Sequence, residues 1–214
     1  MTEDQAQEWL RANFDASKET WERLETFVDF LRREAVSQNL IAASTLENIW
    51  SRHIVDSAQL LKLLPNELEK NASWIDLGSG AGFPGIVAAI LSDHQVTLVE
   101  SRNRRIDYLH RSICVLDMEN SIALAGMPLE RLETAPYSVI SARAFAPLPR
   151  LFELAARFST DKTNWLLPKG RNAVREWEEV QSVWDGTFRI EPSVTDADSG
   201  ILVGQLSAKR QKAR

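Results

Sequence analysis

Cysteine and histidine are scarce in this 214-residue chain, which contains one cysteine and three histidines. A single cysteine excludes an internal disulfide framework and a cysteine-rich metal site. None of the histidines (His53, His94 and His110) lies at a metal-ligand spacing, so we expect no metal. We expect Cys114, which lies between two apolar residues of a predicted helix, to be part of the core.

Long apolar runs are also lacking. No segment approaches the roughly 20 apolar residues of a membrane-spanning helix, and the acidic, polar amino terminus does not resemble a signal peptide. We therefore expect a cytoplasmic protein without a membrane partner, and we expect a monomer. The length suits one α/β domain plus an extension.

An excess of basic charge is missing as well, because the formal net charge is −5. Residues 1–70 contain 13 acidic and 8 basic residues, whereas residues 71–214 contain 17 of each. The acidity thus belongs to the amino-terminal part and does not exclude a nucleic-acid partner for the rest. Local basic clusters remain at Arg102/Arg104/Arg105, at Lys169/Arg171/Arg175 and in the tail that begins at Lys209.

Apolar periodicity divides the chain into a helical part and an alternating part. Residues 3–36 and 46–64 have the three- and four-residue apolar spacing of helices. Strand and helix patterns then alternate, which predicts a mostly parallel sheet covered on both faces. The runs 187–194 and 200–207 leave no room for a helix between them and are expected to pair antiparallel. Parallel strands are predicted at 73–77, 95–100, 121–125, 137–142 and 163–167. The predicted units are a helical extension (1–70), an α/β domain (71–208) and a basic tail (209–214).

The most informative segment is 74–86, in which an apolar strand runs into Gly78, Gly80 and Gly82 and then into a helix. Glycines in such a turn let the backbone approach a ligand closely. The Asp-x-Gly-x-Gly-x-Gly spacing from Asp76 fits the cofactor loop of S-adenosylmethionine-dependent methyltransferases, because the carboxylate can organise the loop and meet a cationic tail. A Gly-x-Gly-x-x-Gly pattern in the same residues is a weak dinucleotide signal. A glycine-rich turn without a ligand is the third interpretation.

Acidic and basic residues follow the other predicted strands at the edge where ligands of parallel sheets bind. Glu100 ends the second strand, where an acid can accept hydrogen bonds from ribose hydroxyls; the alternative is a solvated acid. Arg143, Lys169 and Arg171 follow the fourth and fifth strands and are expected to converge on one rim that meets a polyanion. Arg143 could instead form a structural salt bridge, and Arg171 could be a solvated helix start. His53 has a structural interpretation too, unless the helical extension folds over the cleft.

The chain resembles the bacterial 16S rRNA guanine-N7 methyltransferases, once called glucose-inhibited division protein B, over nearly its whole length. The motifs that carry the resemblance are Asn39-Leu40, Arg52-His53, Asp56-Ser57, Asp76–Gly85, Ser141–Ala146 and Lys169-Gly170. The resemblance implies a class I (Rossmann-like) S-adenosylmethionine-dependent methyltransferase sheet that ends in an antiparallel hairpin. It also implies a guanine in the decoding region of 16S rRNA, free or in the small ribosomal subunit, as substrate. One departure is Pro128, which stands where the family usually has a basic residue.

The candidate site residues fall into two groups. The implied cofactor site is Gly78, Phe83, Glu100, the Leu129–Glu130 pair and Arg143, beside the loop residues Asp76, Gly80 and Gly82. The expected RNA contacts are Arg52, His53, Lys169 and Arg171. Guanine N7 carries an exposed lone pair and no proton, so no general base is expected, and Arg143 is the candidate for positioning donor or RNA. The alternatives are a small-molecule methyltransferase and a non-catalytic RNA- or ribosome-binding module with a vestigial donor pocket.

Overall fold

The computed structural model describes residues 1–210, which begin with two helices in place of the single predicted stretch. Helix α1 (Glu3–Asn13) starts at Thr2, and helix α2 (Lys18–Ala35) starts at Ser17. Each cap side chain accepts a hydrogen bond from a backbone amide of the first turn. Because a helix must begin again at the Ser17 cap, the apolar spacing on both sides of it cannot belong to one continuous helix.

A segment of changing helical geometry replaces the continuous helix predicted over 46–64. Glu3 of α1 accepts hydrogen bonds from the backbone amides of Trp50 and Ser51, at 3.0 and 2.9 Å, at the start of its central stretch. This tertiary contact holds amides that an unbroken α-helix would bond internally. The parts are a 3-10 helix (Ala43–Asn48), a π-helix (Trp50–Val55), one α-helical turn (α3, Asp56–Ala58) and a second 3-10 helix (Gln59–Leu63).

The strands form one seven-stranded sheet in the order β3-β2-β1-β4-β5-β7-β6. Strands β1 to β5 are parallel, and β7 is antiparallel to both β5 and β6. The predicted parallel sheet and its terminal hairpin are therefore confirmed. The strands are β1 (Ser73–Leu77), β2 (Gln95–Val99), β3 (Ile122–Ala125), β4 (Val139–Ala142), β5 (Asn164–Gly170), β6 (Trp184–Pro192) and β7 (Gly200–Lys209).

Two apolar cores cover the two faces of the sheet. The amino-terminal helices pack on one face together with α4 (Gly85–Leu91) and α5 (Asn103–Val115). Helices α6 (Leu148–Ala155) and α7 (Ala173–Val180) pack on the other face. The strand order reverses between β1 and β4, which opens a crevice at the carboxyl ends of these strands.

Two sequence expectations concern residues at the surface. Cys114 is exposed, so its predicted place in the core is wrong; the buried face of α5 includes Ser112 and Ile113 instead. Arg210 pairs with Asp185 at 2.7 Å just after β7, and residues 211–214 of the predicted basic tail lie outside the described residues. No helix in the described part of the chain is long and apolar enough to cross a membrane.

Candidate active site

The glycine loop after β1 closes on its neighbours so tightly that side chains would not fit. Gly78, Gly80 and Gly82 have φ angles of 68°, 58° and 91°, in the left-handed region that favours glycine. A Cβ on Gly78 would lie 2.5 Å from Cδ2 of Phe145, and one on Gly80 would lie 3.0 Å from Nη1 of Arg105. The loop is thus a cradle of bare backbone at the carboxyl edge of the sheet.

Asp76 shapes this loop from beneath, because its side chain is fully buried. Its Oδ1 accepts a hydrogen bond from Oγ of Ser141 at 2.7 Å, and its Oδ2 accepts one from the Gly85 amide at 3.2 Å. Ser141 in turn accepts from the indole N–H of Trp74 at 2.8 Å. Burial raises the pKa of the Asp76 carboxyl, while the Ser141 and Gly85 hydrogen bonds act in the opposite direction. Asp76 therefore ties β1 to β4 and to the start of α4.

Glu100 holds the other side of the loop. Its Oε2 accepts a hydrogen bond from the Gly80 amide at 3.1 Å, and its Oε1 accepts from the amides of Ser101 and Arg102 at 2.8 and 3.0 Å. The Arg105 guanidinium lies 4.0 Å from the same carboxylate. Buried but in contact with a cavity, this acid is the group at the site that can accept hydrogen bonds from ligand hydroxyls.

An inner cavity of about 170 Å³ lies between the loop and the ends of β2 and β3. Its lining residues include Gly78, Glu100, Met127, Leu129 and Phe145. Backbone, one carboxylate and apolar side chains are the groups that a nucleoside needs for its ribose and its base. The cavity is smaller than the roughly 300 Å³ of typical small-molecule sites, and the Phe145 ring that lines it lies against Gly78.

The side chains of Leu129 and Glu130 lie in different environments. Leu129 is buried at the inner cavity, whereas the Glu130 side chain is exposed and pairs with Arg150 at 3.4 Å. Both residues belong to a short 3-10 turn, Leu129–Arg131, that follows Pro128. The structure thus brings the apolar member of the predicted pair to the cavity and directs the acidic side chain to the surface.

Arg143 lies at the centre of a polar cluster where β4 ends. Its Nη1 pairs with Oδ2 of Asp56 at 3.2 Å, and its Nη2 donates to Nδ1 of His53 at 3.0 Å. The guanidinium lies 5.1 Å from the ring centroid of Phe83, a cation–π distance. The helical segment before β1 therefore does fold over the crevice, since it supplies both His53 and Asp56.

His53 is a neutral, buried member of this cluster. It is 8% exposed, and its ring stacks on Phe83 with centroids 5.0 Å apart. Burial, helped by the charges of Arg143 and Arg52, lowers the pKa of His53 to about 3. Because Nδ1 accepts from Arg143, Nε2 carries the proton and donates to Oγ1 of Thr45 at 2.9 Å.

An outer cleft of about 550 Å³ adjoins the inner cavity, and Ala144 and Phe145 line both spaces. Its cations are Arg52, Arg143 and Lys169. The sequence-predicted rim is thus assembled in part, because Arg171 is not in the lining of this cleft.

Each cation of the outer cleft has a carboxylate partner. Besides the Arg143–Asp56 pair, Arg52 lies 3.6 Å from Asp196, and Lys169 lies 3.0 Å from Glu176. Lys169 also donates to the Ala146 carbonyl at 3.3 Å, and its side chain is only 8% exposed. Arg171 pairs with Asp198 at 2.9 Å on the open surface, with 75% of its side chain exposed.

Three residues of the site were not predicted from the sequence to belong to it. Phe145 and Asp56 lie inside the motifs that carry the resemblance, and Arg105 lies in a basic cluster. Phe145 follows the end of β4 by three residues, so the rule that ligands bind at the carboxyl ends of strands could have identified it. The pairing of Asp56 with Arg143 joins parts of the chain 87 residues apart and has no local signal.

The fold and this site define the class of S-adenosylmethionine-dependent methyltransferases with a Rossmann-like sheet. Solved structures of this class share the fold at low identity. An O-methyltransferase from Bacillus cereus in complex with SAH matches with a TM-score of 0.59 and 13% identity, over 92% of this chain and 96% of that one. An S-adenosyl-L-methionine-dependent methyltransferase from Methanococcus maripaludis matches with a TM-score of 0.61 and 11% identity, over 86% and 96%.

The chain belongs to the rRNA small subunit methyltransferase G family, whose model matches residues 20–198. The relative named ribosomal RNA small subunit methyltransferase G in Sphingopyxis alaskensis is 54% identical over 93% of this chain and 84% of its own. The one in Zymomonas mobilis is 47% identical over 99% and 98%. The protein is thus a methyltransferase with S-adenosylmethionine as cofactor, and the prediction of this cofactor over a dinucleotide is confirmed.

Proposed function

We propose that this chain transfers a methyl group from S-adenosylmethionine to N7 of a guanine in the decoding region of 16S rRNA. Family membership supports the ribosomal substrate. The observation that carries the choice of N7 is the state of the outer cleft, where every carboxylate is paired with a cation. Its histidine neighbour is neutral, with both ring nitrogens hydrogen-bonded.

Proton release distinguishes N7 from the other atoms of the nucleotide that could accept a methyl group. Methylation of N1, the exocyclic amine or a ribose hydroxyl releases a proton that a base must take during or after attack. Guanine N7 has a free lone pair and loses no proton. Asp56, Glu176 and Asp196 are engaged by Arg143, Lys169 and Arg52. A site with this inventory suits an acceptor that needs alignment and no base.

The residues of the chain then act by position. The cofactor supplies an electrophilic methyl group on a sulfonium. Arg143, held by Asp56 and His53, fixes the boundary between the inner cavity and the outer cleft, and it remains a cation throughout. Because the inner cavity is small for a nucleoside, we infer that the Phe145 ring turns outward when the cofactor binds.

The four residues predicted to contact RNA have different roles. Arg52 and Arg171 contact phosphates, since both guanidinium groups are exposed and their ion pairs are therefore weak enough to exchange for a phosphate. Lys169 holds the Ala146 backbone beside the cleft, and His53 holds Arg143. We further propose that the enzyme acts as a monomer in the cytoplasm, where its ribosomal substrate is assembled.

The test uses tritiated S-adenosylmethionine and small ribosomal subunits from a strain that lacks the protein. We expect one labelled guanine in the decoding region. Borohydride and aniline cleave RNA at 7-methylguanosine, so the labelled site should become a cleavage site. Labelled but uncleaved RNA would assign another atom of the guanine. Absence of label in both subunits and naked 16S rRNA would leave the small-molecule and the non-catalytic alternatives.

A further inference from the structure

A polar groove runs between the end of α2 and the start of α5, beside the site described above. We call it the α2–α5 groove, and its polar lining residues are Ser37, Gln38, Asn39, Arg102, Asn103, Arg104 and Arg105. Its volume is about 570 Å³, and a second space of about 480 Å³ continues it along α5. The two spaces form one continuous channel, because four residues line both of them: Ser37, Gln38, Asn103 and Arg104.

Two arginines of this groove differ from the cations of the outer cleft. Arg102 and Arg104 are exposed, and neither takes part in an ion pair among residues 1–210. The two carboxylates of the groove, Glu34 and Asp107, are both held by Arg111, at 2.6 and 3.1 Å. The Arg111 guanidinium also holds the pKa of Glu34 below its usual value.

The α2–α5 groove and the outer cleft differ in their balance of charges. The groove and its continuation contain four arginines (Arg102, Arg104, Arg105 and Arg111) against two carboxylates. The outer cleft contains three cations against three carboxylates. A polyanion therefore gains more on the groove, where it meets unpaired guanidinium groups, than in the cleft, where it must first displace an acid.

The groove also reaches the methyl-transfer site. Arg102 and Arg105 line both the groove and the inner cavity. Arg105 spans the two, since its Nη2 donates to the Asn39 carbonyl at 3.4 Å and its Nη1 lies 4.0 Å from Glu100. A chain that follows the groove thus arrives beside the pocket at the carboxyl ends of β1 and β2.

We propose that the α2–α5 groove binds the phosphodiester backbone of the RNA strand that carries the target nucleotide. Arg102 and Arg104 contact phosphates, and the hydroxyl and amide side chains of Ser37, Gln38 and Asn103 are the polar groups that bind sugar and phosphate oxygens. This inference rests on the proposed function, and it adds an RNA surface that shares no lining residue with the outer cleft.

The experiment compares Arg102→Gln/Arg104→Gln with wild type in binding to naked 16S rRNA across a salt series. We expect the affinity at low salt to fall about tenfold or more, because two charge-assisted phosphate contacts are lost. The slope of log affinity against log salt should shrink by about 1.4, at about 0.7 per phosphate contact on a single strand. Binding of S-adenosylmethionine, measured by calorimetry on Arg104→Gln alone, should be unchanged, because Arg104 does not line the inner cavity.

The matched control is Lys70→Gln/Lys162→Gln, which removes the same charge from exposed positions next to the amino ends of β1 and β5. An equal loss in the control would reduce the effect to net charge and overturn the assignment. Wild-type RNA affinity in the arginine variant would overturn it too, and a loss of cofactor affinity in Arg104→Gln alone would assign the groove to the cofactor.

Two further outcomes separate this inference from its premise. If the variant binds naked RNA normally but binds whole subunits weakly, the groove contacts a ribosomal protein and the RNA assignment is wrong. If wild type neither binds nor methylates 16S rRNA or subunits, the proposed function itself fails. The groove assignment alone fails if wild type methylates and the arginine variant methylates and binds equally well.

Discussion

The neutral state of His53 leads to a sharp prediction about stability and pH. The side chain is buried against Phe83, and burial with the neighbouring arginines lowers its pKa from 6.5 to about 3. Between pH 3 and pH 6.5, His53 binds a proton in the unfolded chain but stays neutral in the folded protein. Acid therefore favours unfolding. The stabilising effect of neutral His53 is therefore present above pH 6.5 and is lost as the pH falls towards 3.

The magnitude follows from the two pKa values. Each pH unit in that window changes the free energy of unfolding by about 1.4 kcal/mol. Between pH 7.5 and pH 5.0, the change begins near 6.5 and amounts to about 2 kcal/mol from His53 alone. His53→Gln cannot titrate, so the variant should lack this part of the pH dependence while other groups contribute equally to both proteins.

The assay is urea unfolding of wild type and His53→Gln at both pH values. The acid-induced loss of stability should be about 2 kcal/mol smaller in the variant. The control is His110→Gln, which alters an exposed histidine on α5 and should retain the dependence on His53. Equal pH dependence in wild type and His53→Gln would refute the buried neutral imidazole.

The single-turnover rate of methyl transfer should not depend on an enzyme base between about pH 6 and 8.5. A rate that rises tenfold per pH unit in wild type, and no longer does so in His53→Gln, would make His53 a general base.

Four other substitutions test separate parts of the site. Gly80→Val should abolish cofactor binding with an unchanged circular dichroism spectrum, because a β-branched residue is strained at positive φ; wild-type affinity by calorimetry would contradict this. Lys169→Ala should lower the free energy of unfolding by about 2 kcal/mol, because it leaves the partly buried Glu176 carboxylate without its cation. Arg171→Ala should mainly weaken RNA binding in filter assays, an effect that shrinks with salt. Phe145→Ala should bind cofactor at least as tightly as wild type but transfer methyl more slowly; weaker binding would make Phe145 a cofactor contact.

The glycine loop and the sheet could be predicted because their signals are local. A strand that must turn sharply at a ligand needs glycines at fixed spacing, and Gly78, Gly80 and Gly82 do adopt the left-handed backbone. The alternation of strand and helix patterns along the chain likewise indicates a parallel sheet, and each predicted strand overlaps an observed one. The hairpin of β6 and β7 followed from the missing space for a crossover helix.

The helical segment before β1 could not be predicted in the same way. Its apolar spacing is helical throughout, but a change to π-helical geometry at Trp50–Val55 comes with contacts to α1 that lie far away in sequence. Long-range partners decide this outcome, and single-sequence periodicity does not contain them.

The ion pairs of the outer cleft determine how the site can respond to RNA. Exposed pairs contribute at most about 1 kcal/mol, so exchange of Asp196 for a phosphate on Arg52 costs little. The Arg143–Asp56 pair is less exposed and is supported by His53, so its loss costs more. RNA can therefore replace acids at the rim while Arg143 stays in place. Because such exchange gains little affinity, tight binding requires cations without partners, and in the described part of the chain the α2–α5 groove offers two such arginines next to the pocket.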